Sequence, residues 1–262
     1  DTVPSRFANQ TSLRVVNLGQ QGTCLLQMWM RLREHASKIK PRYVFVCVHP
    51  NDITDAGFWY PESELNRFLQ SEEDYLPLAL SRYHPEDSSS PRRWWNQHMA
   101  PHFRIGRLMR YMFRVIKKGP EKEKKIVKSS SAVPSQAHID KPFTPWKKSK
   151  IDRLGWKVQV KALRKIKQIC EEHRATLIVH SLGYSRAFCE ASKKLAEELG
   201  VSYVPAGEIA LRHGQKGEPV YLINDGHWTG HGAGIVAREL TEHVPPLRER
   251  KKARRCPRFW AY

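Results

Sequence analysis

The chain has 262 residues, 40% of them hydrophobic and 10% aromatic, with a formal charge of +19 and a pI near 9.9. That apolar content is enough for a sizeable core and excludes a wholly disordered chain, while the lack of an uninterrupted apolar run of membrane-spanning length argues against a helical span. The charge is concentrated: residues 114–150 hold 11 Lys or Arg against 3 acidic residues, and residues 248–258 hold 7 against 1. These two segments account for +14 of the +19, so the excess reads as a solvated linker and tail, with a polyanion or an anionic membrane surface as the alternative partner. No specific nucleic-acid recognition is expected.

In chain order, Leu13–Leu18 reads as a short strand ending at Gly19. A helix is predicted over Cys24–Ser37, with Leu25, Met28, Trp29 and Leu32 at helical spacing. Tyr43–Val48 is a continuous apolar run after Pro41, the pattern of a buried parallel strand. Strand, helix and strand together make a βαβ unit. Residues from about 55 to 101, rich in aromatics and proline, read as an irregular insertion. An amphipathic helix is expected over 103–116, followed by a basic flexible linker over about 117–149. Beyond it come a helix over Trp156–His173, a strand over Ala175–Val179 and a helix over Arg186–Leu199 stopped by Gly200. A strand over Val201–Val204 and a helix over His231–Val244 complete the body, and Pro245 and Pro246 end it. The alternation predicts an α/β fold with a mostly parallel sheet over residues 1–244, and a basic tail over 245–262.

The five cysteines, Cys24, Cys47, Cys170, Cys189 and Cys256, are scattered and form no C-x-x-C pair. They suggest neither a disulfide framework nor a zinc ribbon, and the first four sit in apolar contexts that predict buried thiols. No signal-peptide pattern is visible, but the chain opens at Asp1 without Met, so the compartment is not legible.

Ligands of an open parallel sheet bind beyond the carboxyl ends of its strands. Three polar motifs fall there. Asn17-Leu-Gly-Gln-Gln-Gly22 follows the first strand; taken alone it is a turn, and its spacing is not that of a dinucleotide fingerprint. His49-Pro-Asn51-Asp52 follows the second; Asn51 is either an Asx-turn residue or an amide donor to a developing oxyanion, and Asp52 most simply caps the next segment. Asn224-Asp225-Gly-His227-Trp228-Thr-Gly-His231 precedes the last helix. An Asp two residues before a His can fix the imidazole tautomer and stabilise the imidazolium during general-base work. No third ligand stands at a metal-binding spacing, so neither metal nor cofactor is expected.

Together the three motifs resemble the SGNH/GDSL hydrolase superfamily, whose members carry Ser, Gly, Asn and Asp/His blocks at strand ends of a flavodoxin-like sheet. N-L-G-Q-Q-G is similar to the Gly block, P-N-D to the Asn block, and N-D-G-H-W-T-G-H-G to the terminal block in a D-x-H-W variant. The resemblance spans roughly residues 15–244. It implies that the Gly22 N–H and the Asn51 amide form an oxyanion hole, that His227 is general base and then acid, and that Asp225 orients it. Trp228 would pack the loop, and His231 would start the last helix. The implied activity is hydrolysis of an ester, an acylated carbohydrate or lipid being within the class.

Three departures stand out. His49 replaces the glycine usual before the Asn block; Asp225 is one residue closer to the His than in many members; and the nucleophilic serine has no counterpart. That serine follows a strand one βαβ unit, about 30 residues or more, before the Gly block, and only 21 residues precede Gly22. Ser5 and Ser12 have no strand before them. Either the first strand and its serine lie upstream, or the chain is a serine-less member; as written it would not perform the acyl transfer itself. Gly183-Tyr-Ser185 only half-resembles a nucleophile elbow. Phe58-Trp59-Tyr60 and Trp94-Trp95 read as packing of the insertion before substrate stacking, and Phe259-Trp260 as a candidate membrane-surface contact.

Overall fold

The computed structural model of the chain describes residues 2–19, 23–72, 74–77, 139–140, 143, 150–182, 185–222 and 227–244. Contacts divide the chain into two compact units, one of Asp1–Pro50, Ala132–Phe143 and Ala162–Tyr262, the other of Asn51–Ser131 and Thr144–Lys161. Among the described residues the architecture is mixed α/β, with helices around a small parallel sheet.

The first unit opens with α1 (Val3–Thr11), capped by the Thr2 hydroxyl and primed by Pro4 in its first turn. Its buried Phe7 meets Phe45 edge-on at 4.9 Å. Ser12, at φ +53°, breaks the helix. Residues 13–19 then run without a ladder partner among the described residues. Leu13 and Val15 pack on the core while Val16 is exposed. The expected strand over Leu13–Leu18 is therefore corrected: its alternation supplies a core-facing side, but a strand also needs a hydrogen-bonded neighbour. In α2 (Leu25–Ile39) the buried stripe is Leu25, Trp29, Leu32 and Ala36. It ends where Lys40 turns left-handed, its N–H donating to the Ala36 carbonyl at 2.8 Å, just before Pro41.

The sheet orders β1 (Tyr43–Val48), β2 (Thr176–Ser181) and β3 (Ser202–Val204) side by side, all parallel. Tyr43 pairs with Thr176 and Val48 with Ser181; Ile178 pairs with Ser202 and His180 with Val204. β2, in the middle, is buried at every position but its first. Helix α6 (Arg186–Glu198) makes the crossover from β2 to β3, and Gly200 at φ +64° supplies the left-handed turn behind it. The sequence did not reveal α7 (Ala206–Gln215), which precedes α8 (Gly230–Glu242). Val204, Ile209, Ala210, Ile235 and Val236 form the core between the sheet and these two helices. The thiols of Cys24, Cys170 and Cys189 are buried as expected, and that of Cys47 is half-buried.

The second unit contains α3 (Asp52–Trp59), α4 (Glu62–Gln70) and the residues up to Lys161 of α5 (Lys150–Glu172). The insertion expected to be irregular from about 55 thus begins with two helices. Tyr60, Leu65, Phe68 and Val158 are its most buried side chains. Gly155 lets α5 approach α3 at Ile53: an added Cβ would stand 2.1 Å from the Ile53 carbonyl oxygen. The Gln159 amide donates to the Asp52 carbonyl at 2.8 Å, and Lys161 Nζ donates to the Leu69 carbonyl at 3.1 Å and to that of Ser71, satisfying the end of α4. The helix expected over 103–116, Trp94, Trp95 and the basic tail lie outside the described residues. So does most of the expected flexible linker, but two of its residues pack in the first unit: Ile139 is buried, and Phe143 meets Phe188 edge-on at 5.0 Å.

Candidate active site

His227 lies on the return arm of a short hairpin between α7 and α8. The outgoing arm passes through Val220 and Tyr221, both buried in the core. The return arm pairs with it antiparallel, Trp228 opposite Tyr221. Two backbone bonds close the pairing: the Leu222 N–H donates to the His227 carbonyl at 2.7 Å, and the Thr229 N–H donates to the Val220 carbonyl at 2.8 Å. Thr229 then caps α8, its hydroxyl accepting from the Gly232 N–H at 3.1 Å. This local order, paired arm then cap then apolar helix, leaves the His227 side chain exposed and Trp228 half-buried against the core.

A second histidine pair surrounds the base of this hairpin. Glu218 Oε1 lies 2.6 Å from Nδ1 of His213, in the last turn of α7. Glu218 Oε2 lies 2.8 Å from Nε2 of His231, in the first turn of α8. Hydrogen bonds from His231 first and His213 second hold the Glu218 carboxyl below its usual range. His231 does start the last helix, and it also grips Glu218; a spacing of five residues to His213 and thirteen to His231 carries no motif by which sequence reading finds this cluster.

Asn51 follows β1 and begins α3 in the second unit. Its carbonyl accepts from the Asp55 N–H at 2.8 Å and from the Thr54 hydroxyl at 2.9 Å, and its exposed side-chain amide donates to Asp55 Oδ2 at 3.3 Å. An amide N–H held at a helix start is the donor type an oxyanion requires. Asp52 is the first residue inside α3 and is buried.

Gly22 and Asp225 lie outside the described residues. The turn leading to Gly22 is held by Asn17, whose Oδ1 accepts from the Gly19 N–H at 3.0 Å, and by Arg31 Nη1, which donates to the Leu18 carbonyl at 3.1 Å. Beyond it Thr23 and Cys24 are buried, and the Cys24 N–H donates to Gln27 Oε1 at 3.2 Å. Ser185 is the N-cap residue of α6.

No family model, curated protein or solved structure matches this chain. What the site does is therefore argued from its own groups. Among the described residues no three His, Cys, Asp or Glu side chains could hold a metal ion, and no helix is long and apolar enough to cross a membrane.

The carboxyl end of β2 adds two buried polar groups that no sequence motif singled out. Ser181, fully buried, bonds the Tyr203 hydroxyl at 2.8 Å, and the Cys189 thiol lies 3.5 Å from its oxygen. Burial raises the Tyr203 hydroxyl and pushes the Cys189 thiol up to about 11. His180, in register with Cys47 and Val204, is buried, and its Nδ1 has no hydrogen-bond partner among the described residues. Loss of solvent lowers this imidazole to about 4, so it is neutral at physiological pH.

Proposed function

We propose that the chain carries the Gly, Asn and Asp/His blocks of an SGNH-type hydrolase that cleaves esters by acyl transfer. The observation that carries this reading is the D-G-H-W-T-G-H segment, which presents an exposed His227 on the hairpin that feeds α8 of a parallel α/β unit. The P-N-D turn after β1, which presents the Asn51 amide at the start of α3, supports it. In this reading the finer fold is flavodoxin-like, with a further strand beside β1. β1 is six apolar residues without a charge, the composition of an interior parallel strand, yet it stands at an edge of the described sheet.

The chemistry assigns each group one task. In this mechanism a serine nucleophile attacks the ester carbonyl, its proton passing to His227. The oxyanion accepts hydrogen bonds from the Gly22 N–H and the Asn51 amide. Collapse expels the alcohol, which takes the proton from His227. Water, deprotonated by His227, then attacks the acyl-enzyme, and collapse releases the acid as the serine oxygen takes the proton back from His227. Asp225 holds the imidazole in the required tautomer. The substrate is an ester of the acylated-carbohydrate or lipid class.

The test is hydrolysis of p-nitrophenyl acetate by the full-length protein and its His227→Ala variant. Loss of about six orders of magnitude in kcat is expected, as for removal of the base of a catalytic triad; equal rates would overturn the assignment.

A second reading has the charge distribution behind it: non-catalytic binding of a polyanion or anionic membrane surface through residues 114–150 and 248–258 on the same scaffold. Steeply salt-dependent retention on heparin, lost when residues 117–150 and 248–258 are deleted, is its signature; retention unchanged by the deletions counts against it.

A further inference from the structure

Glu218 joins two imidazoles, and the two come from different helices. His213 ends α7 and His231 begins α8, so both ends of the connection that carries His227 meet at one side chain. The outgoing arm has its own anchor, because Val220 and Tyr221 are buried in the core. The return arm runs directly into α8: Trp228 is half-buried against the core and the Thr229 N–H donates to the Val220 carbonyl, while the His227 side chain is exposed. Where the return arm lies therefore follows from where α8 starts relative to the end of α7.

We infer that Glu218 is a positioning residue, a clasp that fixes the His227-bearing hairpin by tying α7 to α8. This deepens the hydrolase reading and rests on it for the role of His227, while the clasp itself is a statement about geometry that can be read without activity. Glu218 holds His213 and His231, and acts on the reaction only through the hairpin. The backbone at this corner supports the same reading: the Glu218 N–H donates to the His213 carbonyl at 3.2 Å, and the Val220 N–H donates to the Glu218 carbonyl at 2.8 Å. The side chain thus leaves a turn that is already fixed, and both its oxygens are spent on histidines. The carboxylate stays ionised through the neutral range, since both contacts hold it below its ordinary value. Two imidazole donors on one carboxylate are charge-assisted bonds, the stronger kind.

The experiment uses the full-length protein with Glu218→Ala and Glu218→Gln. Amide hydrogen exchange is followed in peptides covering 219–229 and, as an internal control, 176–181. Glu218→Ala should raise exchange over 219–229 about tenfold with 176–181 unchanged. On p-nitrophenyl acetate it should lower kcat about tenfold, with KM nearly constant, because the base is displaced without loss of a substrate contact. Glu218→Gln, which keeps an acceptor oxygen, should fall between. Unchanged exchange over 219–229 in Glu218→Ala overturns the clasp. So does an unchanged kcat in Glu218→Ala where His227→Ala abolishes hydrolysis. If neither the wild type nor His227→Ala hydrolyses the ester, the hydrolase reading fails and exchange alone decides the clasp. If exchange also rises over 176–181, the whole unit has loosened, and the inference is overturned unless Glu218→Gln confines the rise to 219–229.

Discussion

Gly232 and Val220 lie so close that a side-chain carbon at Gly232 would fall 2.5 Å from the Val220 carbonyl oxygen and 2.9 Å from its Cγ1. The first turn of α8 is thus seated on the outgoing arm of the hairpin, and only a residue without Cβ permits it. The same carbonyl accepts the Thr229 N–H, so it cannot swing away without breaking the pairing that presents His227.

Gly232→Ala is expected to destabilise the first unit by about 1–3 kcal/mol, the usual cost of overpacking. Gly234, two residues on, has open space around its missing side chain. Gly234→Ala should instead be neutral or stabilise by about 0.5–1 kcal/mol, as alanine favours a helix interior over glycine. Urea midpoints of the two variants check the pair; equal shifts would contradict the packing at Gly232.

His180 gives a pH signature. Its imidazole is lowered from 6.5 to about 4 in the folded protein by burial. Between those values the unfolded chain binds a proton that the folded one does not. Stability therefore falls as pH drops through that window, by about 3 kcal/mol in all, and levels off below it. His180→Leu removes this contribution. The difference between wild-type and variant stability curves should be flat above pH 7 and slope only between about 6.5 and 4; a difference flat throughout shows that the imidazole is solvated.

The buried thiols should be inert. Burial pushes Cys170 up to about 12 and Cys189 to about 11, so neither supplies thiolate at pH 8. Iodoacetamide at that pH should leave both unmodified in the native protein and alkylate both in 6 M guanidinium, a concentration at roughly the limit of even hyperstable domains. Rapid native alkylation of either, read by peptide mass spectrometry, would contradict the burial.

In the second unit, Gln159→Leu removes the donor to the Asp52 carbonyl at a buried site. It should cost about 0.5–1.5 kcal/mol, the net worth of one buried hydrogen bond. Its effect should also reach Asn51, the residue before Asp52, as faster amide exchange across 51–55.

Most of the sheet was legible because its signals are local. Tyr43–Val48 is a contiguous apolar run, Leu177–Val179 is the apolar centre of the strand expected over Ala175–Val179, and Gly200 marks the end of α6 in the sequence as it does in space. Leu13–Leu18 misled because alternation records a buried side and is silent about a neighbouring strand. α3 and α4 were hidden by Phe58, Trp59, Tyr60 and Pro61, a cluster that reads as irregular but in fact closes one short helix and caps the next. α1 was missed because it offers only Phe7 and Thr11 to the core. The segments bearing Asn51 and His227 were legible as motifs at element ends. The Glu218 bridge was not, since its three residues converge only when α7 and α8 are in place.

The bond from Gln159 to Asp52 spans 107 positions of sequence. Closing a loop of that length costs about 4 kcal/mol of chain entropy, and nothing local offsets it until α5 arrives. Helix α3 has eight residues, too few to persist alone in water. The Asn51 turn is thus a product of distant docking, and it forms late, after the short-range crossover of β2, α6 and β3. A chain caught part-way through folding would hold the β2–β3 pair without a fixed Asn51. Order at that one asparagine marks the moment when the two ends of the second unit have found each other.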